Sequence, residues 1–246
     1  MNNKWIRIGI VSDTHLASDG ERLDRLHEFY DWLESEEIER VYHAGDISDG
    51  TNVYRGQEFH LKQIGTDKQA KYVIENFPQR KKIRTFFITG NHDLRAFERT
   101  RVDIGSLISR GVEITEEETK PHKIEGRKDL KYLGQYYGRV KLNESIKLDL
   151  VHPDGGFSYA ISYPLQRYVN EIQGGNKPHI LVMGHFHRTM YTVYRNIHCF
   201  MGGTFQDQND YTRRRGIQPN LGGWLLEMEI DHGIKQMKPI WRAFYR

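Results

Sequence analysis

The chain has 246 residues, with 36 Lys plus Arg against 33 Asp plus Glu and a formal net charge of +3. That length suits one large α/β domain or two small ones, and so even a charge balance does not by itself argue for nucleic-acid binding. The single cysteine, Cys199, excludes an intramolecular disulfide, residues 1–6 form no apolar signal region, and no apolar run approaches the roughly 20 residues of a membrane span, so the expectation is one cytoplasmic, non-membrane domain over residues 1–246.

Residues 5–11 read as the first strand, and Asp13 and His15 lie just beyond it. Leu23, Leu26, Phe29, Tyr30 and Leu33 recur at helical spacing over Leu23–Ser35. Residues 40–43 give the second strand, ended by Gly45-Asp46. A polar loop over 47–54 precedes a helical pattern over 57–77, which Pro78 breaks. The third strand, 85–88, is β-branched and aromatic; Gly90 stops it, and Asn91, His92 and Asp93 are read as the loop beyond. Residues 104–109 form a short helix stopped by Gly111, while the charged stretch 116–131 takes no assignment. Strands follow at 132–142, broken at Gly134 and Gly138, and at 146–151, just before His152. A turn at 153–156 leads to a helix over 163–172, with Gly174-Gly175 as its stop. The apolar run Ile180–Met183 is a buried strand before Gly184-His185-Phe186-His187. Residues 190–194, 197–201, 224–230 and 235–241 alternate in the β manner. Early strands separated by helices and late strands joined by turns predict two packed sheets with helices outside.

Five strands thus each deliver Asp, Asn or His from their C-terminal tips, where open α/β sheets place their chemistry. The set is Asp13, His15, Asp46, Asn91, His152, His185 and His187. Seven donors exceed what one first-row metal takes and suit two divalent transition ions sharing a bridging carboxylate. Mixed imidazole and carboxylate donors select Mn, Fe, Zn, Co or Ni over Ca or Mg, with Mn the foremost candidate. Each residue alone is a weak signal: a lone Asp13 is a turn former, and a lone His152 is surface or core. Their joint order after apolar strands carries the inference. His43, inside a strand, reads as packing or as support for a ligand, and His27, His60, His122, His179, His198 and His232 have no supporting pattern.

The set resembles the calcineurin-like metallophosphoesterase superfamily, on Asp13-x-His15, Gly45-Asp46, Gly90-Asn91-His92-Asp93, His152 and Gly184-His185-x-His187. The resemblance implies a four-layer α/β/β/α sandwich covering nearly the whole chain. It implies that Asp13, His15, Asp46 and His187 hold one metal. Asp46, Asn91, His152 and His185 would hold the other, with Asp46 as the bridge. His92 would face the substrate and protonate the leaving oxygen, and Asp93 would orient His92.

Two further stretches are similar to the phosphodiesterase (exonuclease) domain of the archaeal family-D DNA polymerase small subunit. One is Asp49-Gly50-Thr51-Asn52-Val53-Tyr54-Arg55-Gly56-Gln57. The other starts at Tyr194-Arg195-Asn196-Ile197, continues through Gly203-Thr204-Phe205-Gln206 and Asp210-Tyr211, and closes at Pro219. Arg55 stands where that family has proline, and no oligonucleotide-binding domain precedes Asp13, so the likeness is to the phosphodiesterase domain alone. It implies a nucleic-acid phosphodiesterase, a DNA exonuclease of 3′-5′ polarity, with single-stranded DNA as partner. Tyr211, Arg213, Arg214 and Arg215 interleave aromatic and basic groups as a single strand requires. Tyr136, Tyr137, Arg139 and Lys141 make a second such cluster, whereas Arg80, Lys81 and Lys82 read as solvated surface. The alternative is a small-molecule phosphatase or cyclic-nucleotide phosphodiesterase, which needs a closed pocket instead of an open basic groove. A non-catalytic scaffold is disfavoured because every ligand position is filled.

Overall fold

The computed structural model describes residues 4–114, 121–156 and 158–245, apart from the side chains of Lys4, Arg99 and Tyr211. Its strands are β1 (Lys4–Val11), β2 (Arg40–Ala44), β3 (Arg84–Thr89), β4 (Gly111–Ile114), β5 (His122–Glu125), β6 (Leu130–Gln135) and β7 (Tyr137–Lys141). They continue with β8 (Lys147–Val151), β9 (Ile180–Met183), β10 (Thr189–Tyr194), β11 (Ile197–Gly202), β12 (Gly222–Ile230) and β13 (Ile234–Ala243). The α-helices are α1 (Leu23–Ser35), α2 (Thr66–Asn76), α3 (Asn91–Thr100), α4 (Ile104–Arg110), α5 (Tyr163–Glu171) and α6 (Asp210–Arg214).

Among the described residues, two large sheets carry the fold. One is ordered β13-β12-β1-β2-β3-β6, the other β10-β11-β9-β8-β7, and β4 and β5 form a separate hairpin. Strands β1, β2, β3 and β6 are mutually parallel, as are β8, β9 and β11. Period-2 alternation then sorts the side chains into layers. Ile6, Ile8 and Ile10 of β1 face Leu148, Leu150, Val182 and Phe200 of the second sheet in one apolar cluster. On the other face of the first sheet, Val11, Val41 and Phe87 meet Leu26, Phe29 and Tyr30 of α1, Val73 of α2 and Ile108 of α4. Behind the second sheet, Val151, Leu181 and Met183 meet Leu165 and Val169 of α5. The result is the four-layer α/β/β/α sandwich that the strand pattern and the resemblance implied. Among the described residues, no helix is long and apolar enough to cross a membrane.

The departures from sequence expectation have local causes. The helical pattern over 57–77 divides into a 3-10 turn, Gln57–His60, and α2, because Gly65 sits at φ +110°, where no helix continues. The strand expected over 132–142 divides at Tyr136, not at its glycines. There the chain leaves β6 of the first sheet and enters β7 of the second. Tyr136 sits at φ +56°; its amide donates to Thr89 and its carbonyl accepts from the His152 amide. The crossing therefore ties the tips of β3 and β8 together. Asn91, His92 and Asp93 are the first turn of α3, not a loop. Part of the stretch without assignment forms β5 and pairs with β4, and 115–120 lie outside the described residues.

Candidate metal centre

The seven donors gather at one end of the sandwich. The tips of β1, β2 and β3 bring Asp13, His15, Asp46 and Asn91, and those of β8 and β9 bring His152, His185 and His187. The turns that aim them are strained. Asp13, His15, Asp46, His185 and His187 all have left-handed backbone, with φ between 45° and 80°. Non-glycine residues reach that region rarely, at a cost of order 1–3 kcal/mol each, and such residues concentrate at functional sites. Glycines permit the close approach: a Cβ on Gly45 would lie 2.3 Å from His152 Nδ1, and one on Gly90 2.3 Å from Asp46 Oδ1.

Three groups of potential ligand atoms result among the described residues, each within 4.8 Å; two hold the expected ligands, Asp13, His15 and His187 in one and Asp46, His152 and His185 in the other, and the third joins His15 to Asp49 and His92. In the first, His187 Nε2 is 3.0 Å from His15 Nε2 and 3.5 Å from Asp13 Oδ1. Asp46 Oδ2 lies 3.8 Å from His15 Nε2 and 3.1 Å from His152 Nε2, so one carboxylate faces both groups. Asn91 Oδ1 completes the second group, 3.0 Å from His152 Nε2 and 2.8 Å from His185 Nδ1.

Outer hydrogen bonds assign the tautomers. His152 Nδ1 donates to the Ala44 carbonyl at 2.8 Å and His185 Nε2 to the Gly155 carbonyl at 2.7 Å. His15 Nδ1 donates to Asp49 at 2.9 Å. The other nitrogen of each of these three rings therefore faces inward, towards carboxylate and amide oxygens. Imidazole nitrogens, carboxylate oxygens and an amide oxygen converging in this way make a donor set that fits a divalent metal. The electrostatics agree. Burial pushes the Asp13 carboxyl up to about 6. Burial opposes charge on His92 and His152, but Asp46 together with Asp49 at His92, and with Asp13 and the Ala44 carbonyl at His152, outweighs it and raises them to about 10 and about 9. Without a metal, protons on these rings supply the positive charge that buried carboxylates demand.

One expected role falls elsewhere. Asp93 does not touch the His92 ring; its carboxylate accepts from the amides of Gly90 (2.9 Å), Ile47 (3.1 Å) and Ser48 (2.9 Å) and from Ser48 Oγ (2.8 Å). An acidic residue in the first turn of a helix finds unpaired amides there, and here it also clamps the loop after Asp46. The His92 partner is Asp49: His92 Nδ1 donates to its carbonyl at 2.8 Å and lies 3.3 Å from its carboxylate. Asp49 is thus shared by His15 and His92, and Gln57 Nε2 donates to its Oδ2 at 2.9 Å while Gln206 Nε2 reaches its Oδ1 at 3.3 Å. Sequence reasoning gave Asp49, Gln57 and Gln206 no role, although all three lie in the two stretches likened to the archaeal subunit. Those stretches converge on this one carboxylate. His43 is supporting, as expected: Gly45 N donates to its Nδ1 and its Nε2 meets Thr14 Oγ1, while burial lowers its pKa to about 3.

The sequence profile described as Calcineurin-like phosphoesterase matches residues 6–211. The chain belongs to the calcineurin-like phosphoesterase family. It is accordingly a metal-dependent phosphoesterase. It is 23% identical to the DNA polymerase II small subunit of Methanothermobacter thermautotrophicus over 87% of this chain and 50% of that protein. With the protein of the same name from Methanocaldococcus jannaschii it shares 28% identity over 76% of this chain and 35% of that protein. The chain thus spans half or less of the length of these curated relatives. Among solved structures, GAP50, the anchor in the inner membrane complex of Plasmodium, matches 96% of this chain and 84% of its own at 9% identity and a TM-score of 0.51, a likeness of fold. A novel archaeal phosphodiesterase covers 96% of this chain at 14% identity and a TM-score of 0.46.

In this calcineurin-like chain a cavity of about 180 Å³ lies over both groups, lined by His15, Asp46, Asn91, His92, His185 and His187, with Tyr54, Gln206 and Arg215 at its wall. The three expected arginines diverge. Arg215 lines this cavity, Arg214 lines a neighbouring one, and Arg213 pairs with Asp210 at 3.5 Å on the exposed face of α6. Tyr211 lies on α6, but its side chain is outside the described residues. In the other basic clusters one arginine each is held in an ion pair: Arg139 with Asp149 at 2.7 Å and Arg80 with Asp31 at 2.6 Å.

Proposed function

We propose that the chain is a dinuclear-metal phosphodiesterase acting on nucleic acid, a 3′-5′ exonuclease on single-stranded DNA with Mn as its favoured metal. The observation that supports this best is the pair of His/Asp ligand groups facing Asp46 beneath a cavity whose wall includes Arg215. Archaeal relatives named as DNA polymerase small subunits support the nucleic-acid side of the reading.

On this reading Asp13, His15, Asp46 and His187 hold one metal, and Asp46, Asn91, His152 and His185 the other. Such ions supply Lewis-acid chemistry, polarising phosphoryl oxygens and making a water nucleophilic near neutral pH. The chain's own groups do the rest. Asp49 and the Ala44 and Gly155 carbonyls fix the ligand rings before substrate arrives. His92 is anchored through Nδ1, so its Nε2 is left to the cavity, placed to hand a proton to the leaving oxygen. Arg215 offers a guanidinium to a phosphate at the wall.

The test mixes Mn²⁺-loaded protein with a 5′-labelled single-stranded oligonucleotide and, in parallel, with phosphomonoesters and cyclic nucleotides. Stepwise shortening from the 3′ end, suppressed by salt as phosphate contacts release counterions, is the expected result. An intact oligonucleotide beside rapid turnover of a small ester would overturn the nucleic-acid reading and leave the small-molecule alternative.

A further inference from the structure

The metal cavity does not end at the metals. Arg215 lines it and also lines two larger cavities, one of about 460 Å³ and one of about 470 Å³. The first flanking cavity is walled by Tyr54, Arg55, Phe59 and Arg214, with Asp210, the partner of Arg213, at its edge. The second is walled by Tyr159, Ile161, Phe186 and Arg188. Each carries an aromatic ring that the fold leaves in solvent: Phe59 is 79% exposed and Tyr159 fully so. Large exposed rings gain nothing from folding, and isolated ones are unremarkable; a pair flanking a reaction centre, each beside arginines, has the chemistry of a base-stacking platform.

Both platforms are tied to the centre. Phe59 sits in the 3-10 turn that opens with Gln57, and Gln57 is buried with its amide on the carbonyl and carboxylate of Asp49, at 2.8 and 2.9 Å. Tyr159 follows the turn whose Gly155 carbonyl accepts from the metal-facing His185. Phe59 thus belongs to a turn hydrogen-bonded to a residue of the centre, and Tyr159 stands four positions after a glycine that is.

We propose that a single-stranded nucleic acid threads across the centre, with nucleotides on both sides of the scissile phosphate: bases stack on Phe59 in one groove and on Tyr159 in the other, and Arg215 meets the phosphates where the grooves join. This rests on the nucleic-acid reading above and adds its binding track. Arginine on both arms and at the junction complements a polyanion, whereas a small phosphoester would fill the central cavity alone.

The experiment measures binding of a fluorescein-labelled, phosphorothioate-linked thymidine hexamer to the Mn²⁺-loaded protein by anisotropy. Phe59→Ala and Tyr159→Ala should each weaken binding by between about fivefold and a hundredfold, the range of one lost base stack. Phe59→Tyr and Tyr159→Phe keep a ring and should restore it, separating stacking from misfolding. Val193→Ala, exposed on β10 away from both grooves, should leave binding unchanged. Wild-type binding by both alanine variants would overturn the track while the nucleic-acid reading stands. Loss in Phe59→Ala alone, or in Tyr159→Ala alone, would confine the strand to one groove and overturn the two-sided thread. A hexamer that neither binds nor is cut, beside active hydrolysis of a small phosphodiester, would overturn the nucleic-acid reading and this track with it.

Discussion

The two ligand groups share Asp46 yet lean on different supports. On the six-stranded side, His15 rests on the buried carboxylate of Asp49, which Gln57 and Gln206 brace in turn. On the five-stranded side, His152 and His185 rest on the main-chain carbonyls of Ala44 and Gly155. A carboxylate behind an imidazole fixes its tautomer and also raises its basicity, whereas a carbonyl fixes the tautomer with less charge. The first group is therefore set by side chains that meet from positions 15, 49, 57 and 206. The second is set by the backbone, and so by the packing of the sheets. Side-chain substitution should tune the first group selectively and reach the second only through what both share.

Asp46→Asn attacks the shared element and should do the most damage. Both groups lose a charged oxygen, so the metal-to-protein ratio, read by atomic emission after dialysis, should fall from two towards zero. Turnover should fall by more than the roughly 10⁴-fold upper range for losing a general acid. Retention of one full equivalent would mean that Asp46 serves one group alone. His92→Asn comes next and separates chemistry from binding: both metals stay while turnover falls about 10²–10⁴-fold. The loss should be larger for alkyl than for aryl leaving groups, which need little protonation. Equal losses would remove the acid assignment.

How much of this could be read from the sequence divides along the same line. The ligands were legible because each follows an apolar strand, and a strand tip needs no knowledge of distant packing to be recognised. The four layers were legible because residues such as Ile6, Ile8 and Ile10 alternate with strict period 2. The supports were not. Asp49 lies in a polar loop, where aspartate is an ordinary turn residue, and nothing local shows that Gln206 will reach it across 157 positions. Asp93 has two plausible partners in sequence, and the first-turn pattern that sends its carboxylate to Gly90 N prevails over the histidine next to it. The same Gly90-Asn91-His92-Asp93 run serves both as ligand loop and as the start of α3, so its sequence alone does not separate the two. Among the three arginines, only helix geometry separates Arg215, at the cavity, from Arg213, beside Asp210.

Asp49→Asn should break the contrast on one side only. The neutral amide still accepts from His15 Nδ1, but its charge is gone, and an Asn nitrogen in the place of Oδ2 would face the Gln57 donor. Metal affinity in the Asp13, His15 and His187 group should drop about 10–100-fold, the usual cost of losing an outer partner of a metal ligand, while the other group keeps its equivalent. Titration with limiting Mn²⁺ would show one weakened and one unchanged equivalent. Two equally weakened equivalents would mean that the supports act on the pair as a unit.

Gln206→Ala is the gentlest way to sharpen the comparison. Gln206 is buried, and its Nε2 reaches Ser18 Oγ at 3.1 Å and Asp49 Oδ1 at 3.3 Å, the second long for a hydrogen bond. Neither partner would be orphaned: Ser18 Oγ keeps the His15 carbonyl, and Asp49 keeps His15 and Gln57. With no polar group stranded, the stability cost should stay near the net worth of one hydrogen bond, about 1 kcal/mol, or about 2–4 °C in a thermal melt of a chain this size. The carboxylate would be braced from one side only, so the His15 ring gains some freedom. Affinity in its group should then fall by no more than about tenfold, at the weak end of outer-partner effects. The His152 and His185 group, held by main chain that Gln206 does not touch, should be unaffected. A melt unchanged at every Mn²⁺ concentration would mean that Gln57 alone secures Asp49. A matching loss in the second group would show that the carbonyl supports move with the carboxylate, and the division between side-chain and backbone control would fail.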